Sequence, residues 1–116
     1  AQALYEEGIT ANFAYWGVAM PADYLTSTGV AFDNTLETIM TQKYINLFYT
    51  DYQGFIEYKR TGFPATIEPG PDAFYDVYPS RFEYPSQEES LNNANYTEAV
   101  NRIGGDKITT KVWWEN

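Results

Sequence analysis

Carboxylates are the side chains of this sequence that could most readily do chemistry. Hydrolysis of a glycosidic bond needs two carboxyl groups held about 5–9.5 Å apart across a sugar cleft. The adjacent acids here are Glu6 with Glu7 and Glu88 with Glu89. Because neighbouring residues on a helix diverge by about 100°, neither pair faces a single substrate. The acids are better explained as solvent-exposed side chains on helices than as a catalytic pair. Glu88 and Glu89 also place favourable negative charge at a helix start.

A second acidic group, Asp72 and Asp76, flanks the dipeptide Phe74-Tyr75. With backbone carbonyls these acids could hold Ca²⁺, but the regular ligand spacing of a calcium loop is absent, which favours solvated loop acids. The sequence contains no Cys and no His. Thiol chemistry, His-based triads and ordinary zinc sites are therefore excluded. No cofactor is expected, and a calcium ion has no support from the ligand spacing.

Aromatic rings are the other chemical resource, with 7 Phe, 3 Trp and 11 Tyr making up 18 % of the chain. Phe74, Tyr75 and Tyr78 lie in a proline-stiffened stretch, where pre-organisation lowers the entropic cost of binding. Flat apolar rings suit the C–H face of a pyranose, and they also suit plugs that seal a loop to the body of a domain. The sequence leaves these two interpretations level. Phe74, Tyr75 and Tyr78 are the candidate ligand-binding residues.

Two of the arginines, Arg60 and Arg81, lie beside aromatic residues. Either side chain could clamp a ligand carboxylate with two hydrogen bonds. A structural ion pair is the favoured interpretation for both, with Glu57 or Glu89 as the expected partner.

The charge balance argues against nucleic acid as a partner. Sixteen acidic residues against seven basic ones give a net charge of −9 and a pI near 4.2, and such a surface repels phosphate backbones. No run of about 18 apolar residues is present, so we expect no transmembrane helix. With 116 residues, the chain has the size of one domain.

Helical spacing of apolar residues places the elements that must position these side chains. Tyr5, Ile9, Phe13 and Trp16 form the stripe of a first helix. Asn34-x-x-Glu37 and Thr50-x-x-Gln53 have the spacing of capping boxes and predict the starts of the next two helices. The predicted helices cover about residues 3–18, 34–49, 51–61 and 92–103, with a loop region over 62–90 and an extended tail over 106–114.

Five of the six prolines fall between Pro64 and Pro85, interleaved with aromatic residues. This density excludes a helix or a central strand, and the rings favour an ordered loop over a disordered one. The fold class is therefore mostly α with a long loop region rich in proline and aromatic residues. The apolar stripes are too wide for so few helices to bury, so we expect residues 1–116 to be a piece of a longer protein.

Several stretches, in order along the chain, resemble one known family. Gln42-Lys43-Tyr44, followed by Arg60-Thr61-Gly62-Phe63-Pro64, is similar to a helix and its stop signal in the SusD/RagB family. The stretches Pro79-Ser80-Arg81-Phe82-Glu83-Tyr84-Pro85, Glu89, Leu91-Asn92, Asn95-Tyr96 and Thr109-Thr110-Lys111-Val112-Trp113-Trp114 resemble that family's C-terminal end.

This resemblance implies a fold of tetratricopeptide-like helix pairs beneath a variable loop-rich region. It also implies a lipoprotein anchored at the outer membrane of Bacteroidota and facing outward. Such proteins bind glycans, or in some members peptides, and cover a SusC-like TonB-dependent transporter; they are not enzymes and need no catalytic cofactor. Because members are several times longer, residues 1–116 would be the C-terminal segment, and the missing N-terminal portion would be a partner.

The residues that carry the resemblance look architectural, and no binding role follows for them; they are Arg60, Gly62, Pro64, Arg81, Tyr84, Pro85 and Asn92. Two other functions stay open beside nutrient binding. An acidic glycoside hydrolase would release sugar, whereas a helical-repeat scaffold would contact only protein.

Overall fold

The computed structural model describes residues 1–115, which form five α-helices and no strand. Asn116, the last residue of the predicted domain, lies outside the described residues. The prediction of a mostly α fold is confirmed. The chain divides into two compact units, residues 1–67 and residues 68–115. The helices are α1 (Gln2–Tyr15), α2 (Leu36–Asn46), α3 (Gln53–Thr61), α4 (Ser86–Leu91) and α5 (Asn93–Ile103), with a 3₁₀ turn at Tyr24–Thr26.

The first helix, α1, ends at Tyr15, three residues before the predicted end. Gly17 takes a φ of 65°, and the amide of Val18 donates to the carbonyl of Phe13 at 3.0 Å. This is the hydrogen-bond pattern of a Schellman motif, which needs a residue that tolerates a left-handed backbone. Gly17 therefore sets the end of the helix, although the apolar spacing continues past it.

The second helix, α2, begins at a different cap from the predicted one. Thr35 is the N-cap, and its hydroxyl accepts a hydrogen bond from the amide of Thr38 at 3.2 Å. Asp33 supports this cap by accepting from the amide and hydroxyl of Thr35 at 2.9 and 2.8 Å. Asn34 takes a φ of 63° instead, so the capping box predicted for Asn34 and Glu37 is wrong.

The connection from α2 to α3 turns sharply through left-handed residues. Tyr49 and Asp51 have φ values of 60° and 49°, so α2 ends at Asn46 rather than near residue 49. No side chain caps α3, whose first flanking residue is Tyr52, so the predicted capping box at Thr50 is wrong too. Gly62 ends α3 with a φ of 73°, as its position before Pro64 suggests.

The interior of the unit formed by residues 1–67 is small. Ile9 of α1 and Met40 of α2 form its buried apolar core, and Pro64 is buried as well. Around them, the ring of Phe13 meets Tyr24 edge-on at 4.9 Å, and the hydroxyl of Tyr24 donates to Gln42 at 3.3 Å. Few apolar side chains are buried for the number the sequence carries, and many large ones remain on the surface.

The unit formed by residues 68–115 contains a helix, α4, that begins within the predicted loop region 62–90 and ends one residue beyond it. It starts directly after Pro85, whose carbonyl accepts from the amide of Glu88 at 2.9 Å. Proline fixes a φ compatible with a helix start and loses no hydrogen bond there, so the last proline of the loop permits α4. Asn92, with φ −136° and ψ 39°, separates α4 from α5.

The segment after α5 is not the extended tail predicted over 106–114. It makes turns, closed by hydrogen bonds from the amide of Thr110 to the carbonyl of Lys107 and from the amide of Glu115 to the carbonyl of Val112, both at 3.0 Å. The carbonyl of Ile108 accepts from the amide of Ser80 at 2.7 Å. Backbone hydrogen bonds to the proline-rich loop thus hold this segment in turns, and the predicted extended tail is wrong.

Candidate functional site

Phe74 and Tyr75 form an exposed pair of rings in the proline-rich loop. Their centroids lie 4.8 Å apart and their planes are at 87°. Phe74 is 91 % exposed and Tyr75 is 46 % exposed. In this chain Phe74 therefore does not act as a plug, which was one of the two interpretations that the sequence left level.

Tyr78, the third candidate residue, is held differently. It is 37 % exposed, and its hydroxyl donates to the carbonyl of Glu68 at 3.0 Å. This bond ties together two points of the loop that are ten residues apart. A turn closed by the amide of Ala73 and the carbonyl of Gly70, at 2.9 Å, lies within the tied segment. Tyr78 therefore braces the loop that displays Phe74 and Tyr75.

Both arginines singled out from the sequence are engaged in ion pairs within their own units. Arg60 lies 2.7 Å from Glu57, which is one of its expected partners. Arg81 lies 2.8 Å from Asp106, not Glu89. Each guanidinium therefore has a structural role, as the favoured interpretation held.

Charge interactions within α2 and α3 perturb one carboxyl strongly. The hydrogen bond from Arg60 is the largest cause, followed by the one from Lys43, and together they lower the pKa of Glu57 to about 2. The Nζ atom of Lys43 lies 2.9 Å from the carboxylate of Glu57. Glu57 thus links the two helices and is ionised at any physiological pH. It is occupied by structural partners and is not poised for proton transfer.

The adjacent acids of the sequence serve local hydrogen bonds. Glu6 accepts from the side chain of Gln2 at 2.7 Å, and Glu88 accepts from Asn92 at 3.0 Å. Asp72 and Asp76 are exposed. Among residues 1–115, no group of three or more acidic, Cys or His side chains is placed to hold a metal ion.

An apolar groove between α1 and α2 is a surface that the sequence did not single out. It has a volume of about 480 Å³ and is lined mainly by Trp16, Val18, Tyr44, Ile45 and Phe48. The rings of Trp16 and Phe48 lie 6.4 Å apart across it. The apolar stripe of the first helix contained part of the signal, since Trp16 belongs to it, but a stripe alone does not distinguish a core from an open groove.

These features define a class: a helical domain that exposes aromatic rings and apolar surface and has Arg60 and Arg81 engaged in structural ion pairs. The SusD-like family whose model is described as starch-binding and associating with the outer membrane matches residues 1–85. The chain belongs to this SusD-like family. The match includes Phe74, Tyr75 and Tyr78, and it also includes residues 1–34, where the sequence showed no family motif.

Two solved structures are similar to the chain. One is named Bacteroidetes AC2a SusD-like; it is 27 % identical, with a TM-score of 0.74 over all of this chain. The other is named a chitin-binding protein; it is 30 % identical, with a TM-score of 0.61 over 95 % of this chain. The chain spans 26 % of the length of each of them. No curated protein matches the chain significantly.

None of the helices formed by residues 1–115 combines the length and hydrophobicity needed to span a bilayer.

Proposed function

We propose that this chain is a glycan-binding segment of a SusD-like outer-membrane protein, and that it holds sugar without transforming it. The exposed ring pair of Phe74 and Tyr75 carries the proposal. An apolar ring left 91 % exposed is unfavourable in water unless a partner covers it. Membership of a family described as starch-binding, and likeness to a chitin-binding protein, support sugar as that partner.

The perpendicular geometry of the pair suits one sugar residue rather than a long flat surface. With planes at 87°, one ring can serve as the floor under a pyranose while the other forms a wall beside it. Asp72 and Asp76 lie within two residues on either side and can accept hydroxyl protons. The same acids and the net charge of −9 disfavour acidic sugars.

The wider setting is proposed from the family resemblance. The longer protein would be lipid-anchored at the outer membrane, face outward, and deliver its glycan or peptide ligand to a SusC-like TonB-dependent transporter. It would need no catalytic cofactor. The described feature that supports a binder over an enzyme is the exposed ring pair of Phe74 and Tyr75.

We also propose that the apolar groove is covered by further polypeptide of the longer protein. Its Trp16, Tyr44 and Phe48 rings are exposed in the described chain. Because the chain spans only 26 % of its solved relatives, such a protein would have ample further chain to cover the groove. This groove is also the observation that favours the second candidate function, a helical scaffold that contacts only protein.

A co-sedimentation assay with insoluble starch and with chitin tests the proposed function. We expect the longer natural protein to sediment with at least one of these polymers, and the double variant Phe74→Ala/Tyr75→Ala to sediment about half as much or less. Phe82→Ala is the matched control, because Phe82 is 91 % exposed in the same unit. Equal loss in Phe82→Ala would indicate nonspecific adsorption.

The same samples separate the alternative functions. Soluble reducing sugar appearing with time would identify a glycoside hydrolase and overturn the proposal. Failure to bind any glycan, together with stable capture of a protein partner through the groove, would favour the scaffold.

A further inference from the structure

A second cleft lies in the unit formed by residues 68–115. It has a volume of about 320 Å³ and opens between the Tyr84-Pro85 segment and one face of α4 and α5. This volume is at the small end of the range for ligand pockets. The cleft is separate in sequence from Phe74 and Tyr75, and nothing in the family description assigns it a role.

Two tyrosine rings, Tyr84 and Tyr96, form the aromatic part of the cleft. Their centroids are 6.1 Å apart and their planes are at 78°. One carboxylate, Asp106, fixes both residues by accepting from the amide of Tyr84 and from the hydroxyl of Tyr96, each at 3.2 Å. Arg81 completes the cluster with its ion pair to Asp106 and its guanidinium 4.6 Å from the centre of the Tyr84 ring. The rings are therefore held in place before any ligand arrives.

A row of hydrogen-bonded polar side chains, Glu88, Asn92 and Asn95, also lines the cleft. The amide of Asn95 donates to Asn92 at 2.6 Å, and the amide of Asn92 donates to Glu88 at 3.0 Å. Each amide nitrogen carries two hydrogens, and each of these bonds uses one of them. This row of side chains therefore has amide hydrogens left to donate and carboxylate and carbonyl oxygens that can accept. Sugar hydroxyl groups need both kinds of partner.

The small side chain of Ala99 leaves room in the cleft. Asn95 and Ala99 lie four residues apart on α5 and so share one face of that helix, and Glu88 of α4 and Asn92 line the same cleft. A larger side chain at position 99 would occupy the space between the rings and the amides.

We propose that this cleft is a second sugar site that takes one neutral pyranose residue. This inference rests on the proposed function for its ligand class, and it adds a site to that function. The carboxylates of Glu88 within the cleft and of Glu83 and Glu89 near Tyr96 disfavour acidic sugars. The tyrosine rings can contact the apolar C–H face of a pyranose, while the amides and the carboxylate hydrogen-bond the hydroxyl groups around its edge.

Saturation-transfer difference NMR on the longer natural protein tests the second site, with maltotriose and chitobiose as the probes. We expect Ala99→Leu to reduce the saturation signal of at least one probe to about half. We expect Phe74→Ala/Tyr75→Ala to remove the signal that remains in Ala99→Leu. A variant that carries all three substitutions should therefore give no signal. Asn95→Leu is a second variant at an exposed position and should act as Ala99→Leu does. Asn93→Ala, which removes a neighbouring exposed amide outside the cleft, is the matched control.

The outcomes separate this site from the proposed function. Signal lost entirely in Phe74→Ala/Tyr75→Ala and unchanged in both cleft variants would overturn the second site and leave the proposed function standing. No signal from either probe with the wild-type protein would overturn both. A signal with trigalacturonate equal to that with maltotriose, and lost in the cleft variants, would contradict the preference for neutral sugars.

Discussion

The ionised side chain of Glu57 shows how single residues link the helices of this domain. It receives hydrogen bonds from Arg60 on its own helix and from Lys43 on α2. These bonds lower its pKa from 4.5 to about 2. The unfolded chain therefore binds this proton more readily than the folded chain, so the stabilisation is fully present above about pH 4.5 and is lost as the pH falls towards 2.

Replacing Glu57 with Gln removes this charge and keeps the shape. We expect the free energy of unfolding at pH 7 to fall by about 1 kcal/mol, since both cationic partners are substantially exposed and solvent screens them. Thermal or urea denaturation of the longer natural protein at pH 7 and at pH 2.5 measures the effect, and the other stability variants below are compared in the same protein. Glu7→Gln, at an exposed position on α1, is the control and should change stability by less than about 0.5 kcal/mol. A deficit of Glu57→Gln that is as large at pH 2.5 as at pH 7 would contradict the charge account.

The sequence could predict some residue pairs and not others, and separation along the chain explains the difference. Glu57 and Arg60 are three apart on one helix, where side chains are neighbours by construction. Arg81 and Asp106 are 25 residues apart. Their pairing depends on how the segment after α5 folds back, which no local pattern records.

Among the elements, helix ends depend on glycines with different backbone conformations. Gly104 ends α5 with a φ of 81°, whereas Gly8 lies inside α1 with open space around it. We expect Gly104→Ala to lower the free energy of unfolding by about 1–2 kcal/mol, because an alanine resists the left-handed region. Gly8→Ala should raise it by about 0.5–1 kcal/mol through helix propensity.

Melting temperatures of the two glycine variants check this pair of effects, and their opposite signs are the informative result. An unchanged or raised melting temperature of Gly104→Ala would contradict the assignment of Gly104 as a conformational stop, and a lowered one of Gly8→Ala would contradict the propensity argument.

The cap of α2 gives a second prediction for the elements. Thr35→Ala removes the hydroxyl that accepts from the amide of Thr38, and we expect a loss of about 1 kcal/mol in unfolding free energy. Thr35→Ser keeps the acceptor and should restore most of the stability. Equal destabilisation by alanine and serine, measured by urea denaturation, would show that the methyl group matters and not the cap.

Helix existence was easier to predict than helix ends. The apolar stripe that predicts α1 does not stop at Tyr15, and only the backbone of Gly17 ends the helix there. Asn34 and Thr35 are both good caps in sequence, and the left-handed backbone of Asn34 decides between them. The short helix α4 was missed because the predicted loop ran past its last proline, and Pro85 turned out to start a helix.

For the whole molecule, exposed apolar surface is the dominant physical feature. The groove between α1 and α2 presents Trp16, Tyr44 and Phe48 to solvent. We expect the isolated 116-residue chain to bind a dye such as ANS, to self-associate and to melt over a broad range. Analytical ultracentrifugation and calorimetry measure this. Phe48→Ser should reduce dye binding, whereas Leu91→Ser, on the exposed surface of α4, should reduce it less.

A sharp two-state melt of a monomer without dye binding would contradict this account of the groove. It would show that the exposed rings do not destabilise the isolated chain, and that the chain folds without further polypeptide to cover the groove.

The candidate site could be located from the sequence but not interpreted from it. Proline density and ring spacing led to Phe74, Tyr75 and Tyr78. Whether a ring seals a loop or faces solvent depends on packing, and here the three residues differ. Phe74 is almost fully exposed, whereas the hydroxyl of Tyr78 is tied to the carbonyl of Glu68. The sequence did not point to the cleft at Tyr84 and Tyr96, because both residues lie in stretches that resemble the family's C-terminal end and carried no predicted binding role.

Calorimetric titration with maltoheptaose and chitohexaose, across substitutions of one side chain in the longer natural protein, tests the central claim most directly. The series is Phe74→Trp, Phe74→Leu and Phe74→Ala. If a sugar ring stacks on the face of Phe74, the tryptophan variant should bind at least one of these glycans as tightly as wild type or more tightly. Leucine and alanine should then weaken that binding about tenfold, because neither offers a flat face. Wild-type affinity retained in both Phe74→Leu and Phe74→Ala would contradict the claim that this ring holds sugar.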